Sequence, residues 1–223
     1  MNFSTNGLVF QLSEDDRSRL KQICQPVGLS QGQRLCEPGA QDAGQVYFLT
    51  SGCVTQWVQH EEQSQLAVGL VGPEGAVGLS AALAQSTSRL RFEVQCAGEA
   101  WCADSVKLQQ LLRSQPALLW VIARYLWQMA QDIACMTASV QFDDVQTRLA
   151  TWLVLSSQRA SSLHLNLTHD QVARILGVRR VSITLAAVNF KDMGLLNYKR
   201  GSIDILDLPG LKQQAQSTAT RAP

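Results

Sequence analysis

The spacing of hydrophobic positions changes character three times along the chain. Residues 13 to 24 predict a short helix: Ser13 is a good N-cap, Glu14, Asp15 and Asp16 fill the first turn, and Leu20 and Ile23 form an apolar stripe. From about 29 to 104 the pattern becomes short apolar runs, Val46 to Leu49, Val54 to Val58, Leu66 to Val71 and Leu90 to Cys96. Gly39, Gly44, Gly52, Gly72 and Gly98 lie between or beside them. Such runs predict a small antiparallel sandwich or barrel. After Asp104 the period is helical. One long helix from roughly Pro116 to Val140 carries Leu119, Ile122, Leu126, Met129, Ile133, Met136 and Val140 at alternating steps of three and four, the seam of a two-helix coiled coil. A second stripe, Trp120, Ala123, Trp127, Ala130 and Ala134, lies beside it. Two apolar faces need two partners, so we expect the aromatic face to pack on the β-domain and the heptad face on the same helix of a second copy. The competing reading buries both stripes within one subunit.

Phe142-Asp143-Asp144-Val145 interrupts the helix with capping residues and places a hinge there. Beyond it, Thr168-His169-Asp170-Gln171 has the form of a capping box opening a short helix with Val172, Ile175 and Leu176 as its apolar positions. Gly177 ends that helix, and a second runs from about Arg179 to Met193 with Ile183, Ala186, Ala187 and Phe190 inward. Counted from Ala173, the glycine and Ile183 fall where a helix-turn-helix needs a turn and a plug for the angle between two closely crossing helices. Arg179 and Arg180 open the second helix, where a recognition helix meets base edges, and Arg can present two donors to guanine. The alternative is a solvated Arg pair beginning an ordinary helix. Leu195 to Leu206 then reads as strand, basic turn, strand, a wing whose Lys199 and Arg200 suit phosphates. The tail after Leu211, rich in Gln, Ser, Thr and Ala, is expected to fray.

Charge sharpens this picture. The net charge of the 223 residues is +1, but residues 1 to 142 hold 9 Lys+Arg against 12 Asp+Glu and residues 143 to 223 hold 10 against 6. All seven glutamates lie in the first part. The basic surplus therefore coincides with the helix-turn-helix, as nucleic-acid binding requires. No apolar run is long enough to span a membrane and the start lacks a signal-peptide pattern, so a cytoplasmic protein is expected. The 6 cysteines include no CxxC pair, and the 3 histidines, His60, His164 and His169, leave little for a metal centre or acid–base catalysis. No nucleophile–base pairing stands out, so an enzyme is not expected.

From about Leu12 to Leu211 the chain resembles the CRP/FNR family of transcription regulators. Val46-Tyr47-Phe48-Leu49-Thr50-Ser51-Gly52 and Val71-Gly72-Pro73-Glu74-Gly75-Ala76-Val77-Gly78-Leu79 look like its β-roll hairpins, and Leu176-Gly177-Val178-Arg179-Arg180 looks like the opening of its recognition helix. The resemblance implies an α+β chain: an antiparallel β-roll sensor like a cyclic-nucleotide-binding domain at 1–115, a dimerisation helix and hinge at 116–142, and a winged helix-turn-helix at 143–223. It implies a homodimer on double-stranded DNA, RNA polymerase as a partner, and an effector that these residues do not name. The expected DNA contacts are Thr168, His169, Arg179, Arg180, Ser182, Thr184, Lys199 and Arg200. The expected dimer seam is Leu119, Ile122, Leu126, Met129, Ile133 and Met136, and the expected effector pocket is Gly75, Gly78, Leu79, Arg89 and Arg91.

Departures from the family narrow the ligand. Members that bind cyclic AMP use a Gly-Glu pair and an Arg-Ser/Thr-Ala run, where this chain reads Gly78-Leu79 and Ser88-Arg89-Leu90. Cyclic AMP is therefore not the expected ligand, and Phe92 and Trp101 are candidates to fill the pocket. Cys24 and Cys36 alone do not supply an iron–sulfur site, and His60 with scattered thiols is a thin ligand set for haem. In the recognition helix, Val181 and Leu185 stand where the family has a Glu and a second Arg, so its operator does not transfer. The alternatives are a regulator without a ligand or controlled by a partner protein, and a protein-interaction module whose winged helix no longer meets DNA.

Overall fold

The structure, a computed structural model, describes residues 2–36, 44–61, 64–83 and 90–216, and for 59–61 and 64 only the backbone. Arg89 and Ser88 lie outside the described residues, as does the side chain of His60. After a 3-10 turn (Phe3–Thr5), α1 (Gly7–Phe10) and α2 (Glu14–Gln22) lead into strands β1 (Cys24–Leu29), β2 (Arg34–Cys36), β3 (Gln45–Glu61), β4 (Ser64–Val71) and β5 (Ala76–Val77). Then follow α3 (Leu79–Leu83), β6 (Leu90–Asp104), α4 (Ser105–Ser114), α5 (Pro116–Phe142) and α6 (Val145–Ala160). The last part holds β7 (His164–Leu165), α7 (His169–Leu176), α8 (Arg180–Asp192), β8 (Leu196–Lys199), β9 (Ser202–Ile205) and α9 (Leu208–Gln216).

Six antiparallel strands form the N-terminal sheet in the order β1-β6-β3-β4, with β2 on β6 and β5 on β3. Two short strands predicted around Gly52 are one long strand, β3. Its pairing with β6 shifts register between Ser51 and Val54, and a Cβ at Gly52 would collide with the Cys96 and Ala97 carbonyls. The glycine is a bulge that bends the ladder rather than a break. The curled sheet encloses Leu29, Leu49, Val54, Val71, Val77, Phe92, Val94 and Ala100. Pro26 hid β1 from pattern reading; it is tolerated because, among the described residues, β1 pairs only with β6, at the sheet edge.

Within the single chain, the two apolar stripes of α5 face differently from the expectation. Leu118 and Ile122 are both 0% exposed, in a core shared with Phe3, Leu8, Leu108 and Leu112, and Val121, Tyr125 and Leu126 pack against it. Met136 packs against the other main core. Trp120 and Trp127, expected on the β-domain, are instead 76% and 68% exposed. Ile122, Leu126 and Met136 of the heptad row thus face the chain's own body, Leu119 and Val140 are exposed, and the two indoles of the aromatic stripe face outward. Tyr125 sets the rotation: its hydroxyl donates to the Ala76 carbonyl at 3.1 Å and its ring covers Gly75, where any Cβ would overlap it.

The break between α5 and α6 falls at the capping residues. Asp143 is the C-cap of α5, and the Asp144 carboxylate accepts from the Thr147 amide at 2.8 Å to start α6. The tail departs from expectation: α9 continues to Gln216, and its Leu211 is buried against the winged-helix core.

Candidate nucleic-acid interface

The helix-turn-helix is built from local signals that agree with one another. Thr168 Oγ1 accepts from the Gln171 amide at 3.1 Å while the Gln171 side chain accepts from the Thr168 amide at 2.8 Å, completing the capping box. Gly177 ends α7 at φ +64°, the left-handed conformation that closes a helix at little cost only for glycine. Ile183 is buried between the helices with Val172, Ala173, Leu176, Ala186 and Phe190. Strands β7, β9 and β8 form the wing sheet, with Lys199 and Arg200 exposed at its tip.

Arg179, the N-cap of α8, and Arg180, its first residue, are exposed. Arg180 Nη1 lies 3.3 Å from Asp170 in a solvated pair. Such pairs are worth little, so a DNA acceptor can displace the carboxylate. Four other expected contacts are less open. Thr168 is occupied in the capping box, and Ser182 is half-buried. His169 packs on the Tyr198 ring with centroids 4.9 Å apart, its Nδ1 3.2 Å from Thr184 Oγ1, and Thr184 also donates to the Arg180 carbonyl at 3.2 Å. His169 and Thr184 therefore join α7, α8 and the wing. Burial, and then the charge of Arg180, push the His169 pKa down, which favours the neutral ring.

Three residues of this surface are absent from the expected contact set. Val181 and Leu185 are 67% and 66% exposed, one turn apart on the outer side of α8. The resemblance marked both as departures from the family's polar residues, and an apolar side chain offers a base edge no hydrogen bond, so neither was counted as a contact. Lys191, whose Nζ lies 5.4 Å from the Tyr198 ring centroid, adds a cation beside the wing; its place in the last turn of a helix was the available signal.

In the sensor, Leu79 is buried among the residues under α5, Gly75 lies against Tyr125, and Gly78 takes a positive φ beside the Gln45 carbonyl. Arg91 is elsewhere: it pairs with Glu93 at 3.4 Å, donates to Gln65 at 2.6 Å and lies over Trp57. The structure thus brings Gly75 and Leu79 together with α5 but places Arg91 on the side that meets the DNA-binding domain. Phe92 is in the roll interior, whereas Trp101 packs outside it on Phe3 at 5.1 Å.

One core runs from the sheet into the winged helix, joining Cys53, Trp57, Ala67 and Leu70 to Leu149, Trp152, Leu153 and Ile175. Around it, Arg174 of α7 bonds Glu93 at 2.9 Å and lies over the Trp57 ring at 5.0 Å, while Arg159 of α6 bonds Glu74 at 2.7 Å. No helix among the described residues is long and apolar enough to cross a membrane.

Two family models match the chain: a cyclic nucleotide-binding domain over residues 26–115 and a Crp-like helix-turn-helix domain over residues 147–214. The transcriptional regulator SdrP of Thermus thermophilus is 26% identical over 206 residues, which span 89% of this chain and 98% of that protein. A CRP/FNR-family transcriptional regulator of known structure, also from Thermus thermophilus, shares the fold with a TM-score of 0.72 at 23% identity, covering 87% of this chain and 100% of that one. The c-di-GMP-responsive global regulator CLP of Xanthomonas campestris shares it with a TM-score of 0.70 at 20% identity, covering 86% and 99%. Both domain types in this order, on one α+β scaffold with a helix-turn-helix and wing, mean that this chain belongs to the CRP/FNR family of transcription regulators.

Proposed function

We propose that the protein binds a two-fold-symmetric DNA site in the cytoplasm as a homodimer, with α8 in the major groove and the wing on the flanking backbone. The observation that carries this reading is the exposed pair Arg179 and Arg180 at the N-terminus of α8, beside the exposed Lys199 and Arg200 of the wing. Arginine at that end of the helix can bond guanine O6 and N7, whereas the wing cations meet phosphates. Val181 and Leu185 add methyl-bearing surface of the kind that contacts thymine methyls. The dimer contact is the outward stripe of α5, Trp120, Ala123, Trp127, Ala130 and Ala134: two indoles for burial and small residues for close approach of the helices. RNA polymerase is the partner through which binding at a promoter would act.

Titration of full-length protein on a site selected from random duplexes tests this. Arg180→Ala is expected to weaken the selected site by about 1 to 3 kcal/mol and to relax base preference, while Lys199→Ala weakens selected and random DNA alike and flattens the salt dependence. Half-sites are expected one helical turn apart. Equal loss of specific and random binding in the Arg180 variant would sink the assignment of base readout.

The signal is read by the sensor and reaches the DNA-binding domain through the core they share. Cyclic AMP and cyclic GMP are not that signal. Leu79 has no acceptor for a ribose hydroxyl and is itself buried under α5, and polar ligand groups left without partners cost about 1 to 3 kcal/mol each. Calorimetry of the full chain is expected to give no binding heat with either nucleotide at micromolar concentration. Saturable micromolar binding would overturn this reading of the pocket.

A further inference from the structure

Cys53 on β3 and Cys96 on β6 are directly opposed in the antiparallel ladder, at its register shift. Opposed residues in such a ladder have Cα atoms roughly 4.5 to 5.5 Å apart, within the range a disulfide spans, and their side chains share a face of the sheet. Cys53 belongs to the core that joins the sensor to the DNA-binding domain, and Cys96 packs against it. The Gln95 side-chain amide ties the two sulfurs together, its Nε2 lying 3.7 Å from Cys53 Sγ and 4.0 Å from Cys96 Sγ. The same Nε2 donates to Ser156 of α6 at 2.9 Å, and Gln95 Oε1 accepts from Thr55 at 3.1 Å and from the Trp152 indole at 3.2 Å. Cys53 is wholly buried, whereas Cys96 is partly exposed.

We infer that Cys53 and Cys96 form a thiol pair that hydrogen peroxide converts to a disulfide, with Cys96 reacting first and Cys53 resolving. The electrostatics agree with this division. A hydrogen bond from Cys53, aided by Gln95, holds the Cys96 thiol below its ordinary range against the effect of burial, while Cys53 is pushed well above its own. The shared proton stays on the buried sulfur and the thiolate forms on the accessible one.

In the first step the Cys96 thiolate attacks one peroxide oxygen. The O–O bond breaks, hydroxide leaves and becomes water with the proton that the Cys96 thiol had released to solvent, and Cys96 becomes a sulfenic acid. In the second, Cys53 sulfur attacks Cys96 sulfur; the hydroxide released combines with the Cys53 proton as water. In total, two thiols and one hydrogen peroxide become one disulfide and two waters, the sulfurs being oxidised and the peroxide reduced. The bond closes at the bulge beneath α6, where Gln95 is hydrogen-bonded to the DNA-binding domain. The assignment does not depend on how the protein reads DNA.

The experiment uses the reduced full-length protein, one equivalent of hydrogen peroxide, rapid alkylation of remaining thiols and peptide mapping by mass spectrometry. The expected product is a Cys53–Cys96 cross-linked peptide that reductant restores, formed before exposed Cys135 is modified. In Cys53→Ala the cross-link is lost and a sulfenic acid on Cys96 is trapped by a dimedone probe. In Cys96→Ser, Cys53 stays reduced. The wild-type map does not depend on how the variants fold. Cys53 and Cys96 both remaining alkylatable while Cys135 oxidises, or cross-links confined to other cysteines, would overturn the inference.

Discussion

Trp127→Asp is expected to leave a folded chain that no longer dimerises, whereas Ile122→Asp is expected to prevent folding. The two residues sit on one helix five positions apart and differ in what they face. Ile122 is fully buried against the chain's own helical layer, so an aspartate there leaves an unpaired charge in an apolar core, at a cost of several kcal/mol. Trp127 is largely solvent-exposed in the single chain, and the fold does not depend on it. In the proposed dimer it is buried once on each side of a two-fold axis, and a Trp anchor of this kind is commonly worth at least about 2 kcal/mol. Two equivalent losses, together with like charges brought across the axis, raise the dissociation constant by roughly a thousandfold or more. Sedimentation velocity with circular dichroism separates the outcomes. A Trp127→Asp protein that stays dimeric with unchanged affinity would show that the outward stripe of α5 is not the interface.

Trp152→Ala is expected to destabilise the protein by about 3 to 5 kcal/mol, the range for removing a large buried aromatic side chain. Trp152 is fully buried where α6 meets the sheet, in the core that holds residues of both domains. Its indole N–H is one of two donors to Gln95 Oε1, so the substitution opens a cavity and also strips a partner from a buried amide. The urea midpoint is expected to fall by roughly 1 to 2 M. Trp120→Ala, at an exposed position, is the control and should leave the unfolding of a monomeric Trp127→Asp chain within about 0.5 kcal/mol. A loss of less than about 1 kcal/mol for Trp152→Ala would mean that the two domains do not share this core in solution.

The sequence by itself determined what depends on neighbours within one or two turns. Ser13 and Asp144 as N-caps, the Thr168–Gln171 capping box, the left-handed Gly177 and the basic wing turn are local hydrogen-bonding or backbone requirements, and each is met where the residues placed it. The family resemblance rests on the same local motifs, and so the helix-turn-helix and the order of the domains were legible. Tertiary structure decided what depends on rotation and distant pairing. Which stripe of α5 faces the chain's own body was not legible because a helix with two apolar stripes has no local reason to prefer either; Tyr125, reaching the Ala76 carbonyl from across the domain, makes the choice. Strand β3 was split in two because the Gly52 bulge exists only through its pairing with β6. The effector set grouped Arg91 with Gly75 and Leu79 by resemblance, but side-chain alternation along β6 and partners at Gln65 and Glu93 carry Arg91 to the other side of the sensor. Cys53 and Cys96 are 43 positions apart in the chain. Only the ladder register makes them neighbours, and no spacing rule for cysteines reads a register.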